Sequence, residues 1–173
     1  AIKDHKILFP IVTIIIMEVF INKMRRLKGI RKLILIEEAW KAIAKEGMAE
    51  YIKYVFKTVR KFFGEAIVVT QEVDDIIQSP IVKESIINNS DCKILLDQRK
   101  YINKFADIQA MLGLTDKEKA QVLSINMNND PSRLYKEVWI GLGGTESAVY
   151  ATEVSKEEYL AYTTEETEKM EVM

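Results

Sequence analysis

Two adjacent glutamates, Glu37 and Glu38, follow directly after the apolar run Leu33–Ile36. Four consecutive aliphatic residues predict a strand that is buried on both faces. Carboxylates at the end of such a strand lose hydration, which a magnesium ion bound to phosphates would offset. The pair therefore has the chemistry of an acidic nucleotide site, in which Glu37 holds the metal or its waters and Glu38 polarises the attacking water. Adjacent strand residues point to opposite faces, so the two cannot act as a facing acid/base pair, and two solvated strand-end residues are the alternative.

Polar side chains also end two later apolar runs. Gln71 follows Ala66–Thr70, and Asp97 with Gln98 follows Lys93–Leu96. An amide can donate to a phosphate and accept from water, so Gln71 is a candidate γ-phosphate or water sensor, with an ordinary loop glutamine as the alternative. Asp97 and Gln98 are candidate nucleotide-binding residues, again with ordinary loop residues as the alternative. Because ligands bind at the carboxyl ends of parallel strands, the sequence predicts that these polar ends line one edge of a sheet.

Two arginines could act as fingers that reach a nucleotide on a neighbouring subunit. Arg99 follows the third apolar run, and Arg133 precedes a late one. A guanidinium stabilises the charge that develops in phosphoryl transfer. Solvated arginines and surface ion pairs are the alternative for both.

Composition excludes several other functions. The chain has 25 Lys and Arg against 26 Asp and Glu, which gives no general attraction to nucleic acid or an anionic bilayer. His5 has no second histidine or cysteine at ligand spacing, so the sequence supports neither zinc chemistry nor a Ser/His/Asp triad. The lone Cys92 is expected to be a buried, inert thiol in a reducing compartment.

The elements that must position these residues alternate between helix and strand. The apolar and amphipathic patterns predict a helix at about 8–28 and another at about 47–63 that ends at Gly64, with weaker helical segments at 72–89. Together with the three apolar runs they predict an α/β fold with a parallel sheet flanked by helices. The apolar run Ile7–Ile21 is too short and too polar for a membrane span.

The remaining sequence predicts smaller elements. Helices are expected at about 102–112 and 116–124, the second with a capping box from Thr115 to Glu118. Segments 134–142 and 147–154 flank Gly143–Glu146 and predict a β-hairpin, after which a last helix starts at Ser155 with a second capping box to Glu158. The predicted organisation is an α/β core at 1–125, a loop and hairpin at 126–155, and a helix with an acidic tail at 156–173.

Three segments resemble one protein family in order and interval over nearly the whole chain. LILIEEAW resembles the Walker B segment of the conjugation ATPases of type IV secretion systems. AIVVTQEVDDI resembles their next strand, and SRLYKEVWIGLGG resembles the motif before their terminal hairpin. The resemblance is closest to the TraG type of conjugative transposons, and it implies the C-terminal part of a RecA-like P-loop NTPase core.

The resemblance implies roles for individual residues and a dependence on ATP and Mg²⁺. Glu37 takes the metal-side acidic position, Glu38 the catalytic carboxylate, Gln71 the sensor and Arg133 the finger. The first acidic position is commonly Asp in the family, so the longer Glu37 puts direct metal coordination in doubt. The sequence contains no G-x-x-x-x-G-K-[ST] phosphate-binding loop, so this chain alone is expected neither to bind ATP tightly nor to hydrolyse it.

The family also implies partners. They are identical subunits, in a hexamer, and inner-membrane proteins of the conjugation channel, with the protein at the cytoplasmic face of the inner membrane. The expected function is coupling of ATP hydrolysis to channel assembly or substrate transfer. Two alternatives stay open at this point: a DNA-pumping coupling ATPase, and a non-catalytic α/β interaction domain.

Overall fold

The structure is a computed structural model that describes His5 and residues 7–37, 46–71, 83–128, 135–163 and 166–170. The chain forms two compact units, Ala1–Asp91 and Cys92–Met173. The first contains a parallel two-stranded sheet with helices, and the second contains an antiparallel three-stranded sheet with helices. The mixed α/β fold with a parallel sheet is therefore confirmed.

The first unit contains two long helices and the parallel strand pair. In chain order its elements are α1 (Leu8–Arg26), β1 (Lys32–Glu37), α2 (Glu46–Thr58), a 3₁₀ turn (Val59–Phe62), β2 (Gly64–Val69) and a π-helical turn (Lys83–Ile87). Most of the segment predicted as weakly helical, residues 72–82, lies outside the described residues.

Helices α1 and α2 pack on one face of the parallel sheet. Met17, Ile21 and Met24 of α1 are buried with Ile52 and Val55 of α2. The side chains of β1 and β2 that point to these helices join the same core, namely Ile34, Ile36, Ala66 and Val68. Burial of such aliphatic side chains stabilises the unit by about 1.5–3 kcal/mol each.

The opposite face of the same sheet is not covered by any element among the described residues. Its aliphatic side chains, which together we call the open face, are Leu33 and Leu35 of β1 and Ile67 and Val69 of β2, and all four are exposed. The expectation of strands buried on both faces is therefore wrong for these residues, because the described helices of this unit supply only one covering layer. An apolar run alone could not reveal which layers are present.

The junction between the 3₁₀ turn and β2 depends on Phe63 and Gly64. Phe63 has the left-handed conformation, with φ +55°, that ends the turn. A Cβ at Gly64 would lie 2.6 Å from Cγ2 of Val59, so the glycine is required by close approach of the turn. The predicted helix end at Gly64 is thus correct in place, but Phe63 takes the left-handed role that glycine usually fills.

The second unit begins with β3. Its elements are β3 (Cys92–Leu95), a 3₁₀ helix (Arg99–Lys104), α3 (Phe105–Leu112), α4 (Asp116–Ser124), β4 (Tyr135–Leu142), β5 (Glu146–Glu153), α5 (Lys156–Tyr162) and α6 (Glu166–Lys169). The predicted hairpin and the Thr115 capping box are present, and at Ser155 the structure shows the half of the predicted box in which the Ser155 hydroxyl accepts the backbone N–H of Glu158. Gly143 and Gly144 have φ of +54° and +74°, which suits a tight turn between β4 and β5.

The third apolar run forms a strand, but its sheet partner differs from the prediction. β3 pairs with β4 in antiparallel register, with Ile94 opposite Ile140 and Leu95 opposite Trp139. Among the described residues it has no pairing with the parallel strands. The apolar pattern of a strand does not encode its partner, and here β4 offers apolar cross-strand neighbours.

The core of the second unit is built around Trp139. Its indole is 1% exposed, and its Nε1 donates to Oε1 of Gln121 at 3.0 Å. The same amide oxygen accepts from the Ser147 hydroxyl at 2.9 Å. Gly141, on the same face of β4, lies under the ring, where a Cβ would come within 2.3 Å of Cη2 of Trp139.

A reciprocal pair of hydrogen bonds joins the end of α4 to β4. The backbone N–H of Asn126 donates to Oε2 of Glu137 at 2.7 Å, and the N–H of Glu137 donates to Oδ1 of Asn126 at 3.0 Å. Asn126 has φ +56°, a conformation that asparagine tolerates better than most residues. No helix in the described part of the chain is long and apolar enough to cross a membrane.

Candidate functional site

The carboxyl ends of the two parallel strands lie side by side. Glu37, the last residue of β1, is the register partner of Val69, the last residue of β2. Gln71 follows two residues beyond Val69, and both Glu37 and Gln71 are exposed. The structure thus brings together the ends of the first two apolar runs, as the sequence predicts.

Glu37 lies on the open face of the sheet. Side chains alternate along a strand, so Glu37 points to the same side as Leu33 and Leu35, away from the α1–α2 core. Its register partner Val69 belongs to that face as well. A carboxylate in this position is accessible to a ligand placed against the open face.

Two candidate residues fall outside the described residues. Glu38 directly follows Glu37 in sequence, and Arg133 lies in the segment before β4. Their roles stay predictions from the sequence.

Asp97, Gln98 and Arg99 belong to the second unit, at the exit of β3. They follow a strand of the antiparallel sheet, so the expectation of three parallel strand ends on one sheet is wrong for this set. Gln98 donates from Nε2 to the carbonyl of Leu96 at 3.1 Å. Its Oε1 is buried without a hydrogen-bond partner among the described residues.

Asp97 and Arg99 form an ion pair. The backbone N–H of Arg99 donates to Oδ1 of Asp97 at 3.0 Å, and Nε of Arg99 lies 2.9 Å from both carboxylate oxygens. Nη2 of Arg99 completes an ion pair with Oδ2. The hydrogen bonds from Arg99 lower the pKa of the Asp97 carboxyl, and a further hydrogen bond from Asn126 acts in the same direction. The Arg99 guanidinium is therefore engaged by its own neighbour.

The donor set at the parallel strand ends suits Mg²⁺. Magnesium in nucleotide sites is held by one or two carboxylates together with waters and phosphate oxygens, and it does not need a full protein cage. Glu37 offers an exposed carboxylate, and Gln71 offers an amide oxygen beyond the neighbouring strand. The described residues contain no group of three or more His, Cys, Asp or Glu side chains that could hold a metal by themselves. A magnesium ion at this edge would need water or phosphate ligands besides Glu37 and Gln71.

Cys92 and His5 have environments that the sequence analysis did not predict. Cys92 is exposed rather than buried, because it starts β3 beside the exposed Leu142 at a sheet margin. Nδ1 of His5 accepts the backbone N–H of Leu8 at 3.2 Å, so the lone histidine caps the start of α1.

A pocket that sequence patterns did not reveal lies between α1 and α2. A pocket of about 350 Å³ there is lined by residues that include Glu18, Arg25, Tyr51 and Tyr54. The Tyr51 hydroxyl donates to Glu18 at 3.0 Å, and Arg25 donates to the Tyr54 hydroxyl at 2.6 Å. Only the spacing of Glu18 and Arg25 on one helix face could have indicated it, and none of the candidate nucleotide-site residues lines it.

Comparison with known proteins identifies relatives of this arrangement. The family described as the TraG P-loop domain matches residues 1–173. Among solved structures, the chain is similar to VirB4 of Thermoanaerobacter pseudethanolicus, with a TM-score of 0.59 and 20% identity over 83% of this chain and 36% of that chain. At this identity the likeness shows the fold, and it confirms the predicted P-loop-type α/β core. The comparison with curated proteins gives no match.

Proposed function

The chain belongs to the TraG P-loop domain family, and on that premise we propose that it is the C-terminal part of the ATPase domain of a conjugation or type IV secretion motor. The chain spans 36% of the similar VirB4 chain, so the motor activity is proposed for the longer protein that contains it. ATP hydrolysis there would drive assembly of the transfer channel or movement of its substrate. The observation that carries the proposal is the pairing of Glu37 with the strand end that leads to Gln71.

Each residue at this edge has a distinct role in the proposal. Glu37, exposed at the end of β1, holds Mg²⁺ directly or through water. Glu38 accepts a hydrogen bond from the attacking water and orients it. Gln71 contacts that water or the terminal phosphate through its amide. When bound, Mg²⁺ supplies charge neutralisation on the phosphate oxygens.

Arg133 is the better candidate for a finger in the proposal. Arg99 is bound to Asp97 in its own chain, and it would have to leave that carboxylate to reach another subunit. Arg133 holds the position that the family resemblance assigns to the finger, and it lies outside the described residues. A finger that acts between subunits requires an oligomer, and a hexamer at the cytoplasmic face of the inner membrane, beside the channel proteins, completes the proposal.

The chain lacks the loop that would hold the phosphates. Without G-x-x-x-x-G-K-[ST], no run of backbone amides is available for the β- and γ-phosphates. We therefore expect the 173-residue chain to show no micromolar binding of ATP with magnesium in isothermal titration. Micromolar binding of ATP by this chain alone would contradict the proposal that the acidic residues and the phosphate-binding loop lie in different parts of the longer protein.

Substitution of Glu38 tests the catalytic proposal in the longer protein. Glu38→Gln keeps the side-chain size but removes the base, so kcat should fall by about 10²–10³-fold with little change in nucleotide affinity. Glu65→Gln is the matched control, because Glu65 lies on β2 at the opposite end of the sheet, paired with Arg31. It should leave kcat unchanged.

The outcome of this experiment distinguishes three functions: a motor ATPase, a non-catalytic interaction domain and a DNA-pumping ATPase. Full activity in Glu38→Gln, or a longer protein without ATPase activity, would refute the motor proposal and favour a non-catalytic interaction domain. Loss of activity in Glu38→Gln together with strong stimulation of the unchanged protein by DNA would assign it to the DNA-pumping class.

A further inference from the structure

One hydrogen-bond network in the second unit joins the exit of β3, the end of α4 and the start of β4. The Asn126 side chain is at its centre: its Oδ1 accepts the backbone N–H of Glu137 at 3.0 Å, and its amide group donates to Asp97. The backbone N–H of Asn126 donates to Oε2 of Glu137 at 2.7 Å. Asp97 is bound in turn by Arg99. Both ends of the Asn126 amide are therefore used, and each end binds a different element.

The network is attached to the core of the second unit at both of its chain ends. Ile125, directly before Asn126, is 0% exposed, and Trp139, two residues after Glu137, is 1% exposed. These core neighbours limit how far the two anchors can move relative to the sheet. A polar network with matched donors and acceptors rigidifies the elements that it joins and specifies one arrangement of them.

The proposed finger lies between the two anchors in the sequence. Arg133 comes seven residues after Asn126 and four residues before Glu137. An extended chain spans at most about 3.3–3.6 Å per residue, so the Cα of Arg133 must lie within about 14 Å of the Cα of Glu137 in any conformation. The positions of Asn126 and Glu137 therefore limit the space that the Arg133 guanidinium can reach.

We infer that Asn126 is a positioning residue for Arg133, and that Asp97 and Arg99 act through Asn126 by holding its side chain. The inference rests on the proposed function, in which Arg133 contacts a nucleotide on a neighbouring subunit. A group that stabilises a transition state must be placed closely, because a displacement of about 1 Å can cost about 10²-fold in rate. The ion pair of Arg99 with Asp97 thus serves the proposed finger without contact to the nucleotide.

Asparagine suits position 126 for two reasons. Its φ of +56° lies in the left-handed region, which asparagine adopts more readily than most residues. Its side chain contains an acceptor and a donor, so it can bind the Glu137 N–H and the Asp97 carboxylate at the same time. Glycine adopts the same backbone conformation without strain. Asn126→Gly therefore removes both side-chain contacts and keeps the backbone bond to Glu137.

The first test measures steady-state ATP hydrolysis by the longer protein. Asn126→Gly should lower kcat by about 10–100-fold and change the KM for ATP by less than about twofold, because a finger acts in the transition state. Thr115→Ala is the matched control, since it removes the capping box at the opposite end of the same helix. It should lower the Tm by a similar few degrees and leave kcat unchanged.

A double variant tests whether Asn126 acts through Arg133. Arg133→Ala alone should lower kcat at least as much as Asn126→Gly does, because it removes the guanidinium itself. In the Arg133→Ala background, Asn126→Gly should lower kcat by less than a further factor of about two. A residue that supports the fold in general would instead lower kcat by the same factor in both backgrounds.

Mixed oligomers separate misplacement of the finger from loss of subunit structure. Glu38→Gln subunits retain Arg133 and its anchors, and Asn126→Gly subunits retain Glu38. When the two variants are coexpressed, about a quarter of the activity of the unchanged protein should return, since half of the sites contain Glu38 and half of their neighbours contain a correctly placed Arg133. A subunit that has lost its fold would restore no activity.

The results distinguish failure of this inference from failure of the proposed function. The inference would be overturned by an unchanged kcat in Asn126→Gly or Arg133→Ala, by an equal loss in Thr115→Ala, by independent effects in the double variant, or by no recovery in mixed oligomers. In each of these cases the motor proposal would stand if hydrolysis still required Glu38. A longer protein without ATPase activity would refute the motor proposal and this inference together.

Discussion

Gly141 provides the sharpest test of packing in the second unit. A Cβ at this position would lie 2.3 Å from Cη2 and 2.8 Å from Cζ2 of Trp139. The indole is 1% exposed and its N–H is bound to Gln121, so the ring cannot move aside without disrupting the core. Gly141→Ala should therefore force a shift of the ring against a close-packed interior.

The expected cost follows from two contributions. Overpacking of a core costs about 1–3 kcal/mol. Weakening of the bond from the buried indole N–H to Gln121 adds about 1 kcal/mol or more. A total loss of about 2–4 kcal/mol is expected for Gly141→Ala.

Urea unfolding followed by tryptophan fluorescence measures this loss. Trp40→Phe leaves Trp139 as the single reporter of the second unit. Gly144→Ala is the control: it has φ +74° and no atom within 4 Å of an added Cβ, so it should cost only about 1 kcal/mol of backbone strain.

A double variant isolates the clash itself. Trp139→Phe removes the outer ring that an added Cβ would meet, so Gly141→Ala should cost at least about 1 kcal/mol less in that background, measured by urea unfolding followed by circular dichroism because Trp139 is then absent. A stability of Gly141→Ala within about 0.5 kcal/mol of the unchanged protein would refute the packing argument, as would strict additivity of the two substitutions.

Two further predictions concern hydrogen bonds of the second unit. Thr115→Ala removes the capping box at the start of α4, in which the Thr115 hydroxyl accepts from Glu118, and should cost about 1 kcal/mol in urea unfolding; no loss would contradict the observed cap. Because Arg99 lowers the folded-state pKa of Asp97, this carboxylate contributes stability above its unfolded pKa that is lost as pH falls through the folded pKa. Asp97→Asn should therefore flatten the decline of Tm below about pH 4, and an unchanged decline would show that the pair contributes nothing.

Local chemistry predicted much of the fold. Strand β1 and the hairpin follow from apolar runs and from Gly143 with Gly144, whose turn preference is a property of the residues themselves. The capping box at Thr115 is equally local. The pairing of the strand that ends at Glu37 with the strand that leads to Gln71 could also be predicted, because consecutive parallel strands joined by a helix usually lie side by side.

Features that depend on distant partners could not be predicted in this way. The apolar run of β3 is compatible with a parallel or an antiparallel neighbour, and only the structure shows its pairing with β4. The exposure of Leu35 and Cys92 depends on which layers surround them, and residue type does not report that. The left-handed conformation of Phe63 could not be predicted, because sequence patterns associate a helix end with glycine and the adjacent residue is Gly64.

The reciprocal bonds between Asn126 and Glu137 have a consequence for insertions into the segment that they enclose. They fix the point where the chain leaves α4 and the point where it enters β4. Closing a longer loop costs only about 0.6 kcal/mol for each doubling of its length. An insertion between these two anchors should therefore cost little stability and leave the hairpin in place, provided that it preserves Arg133.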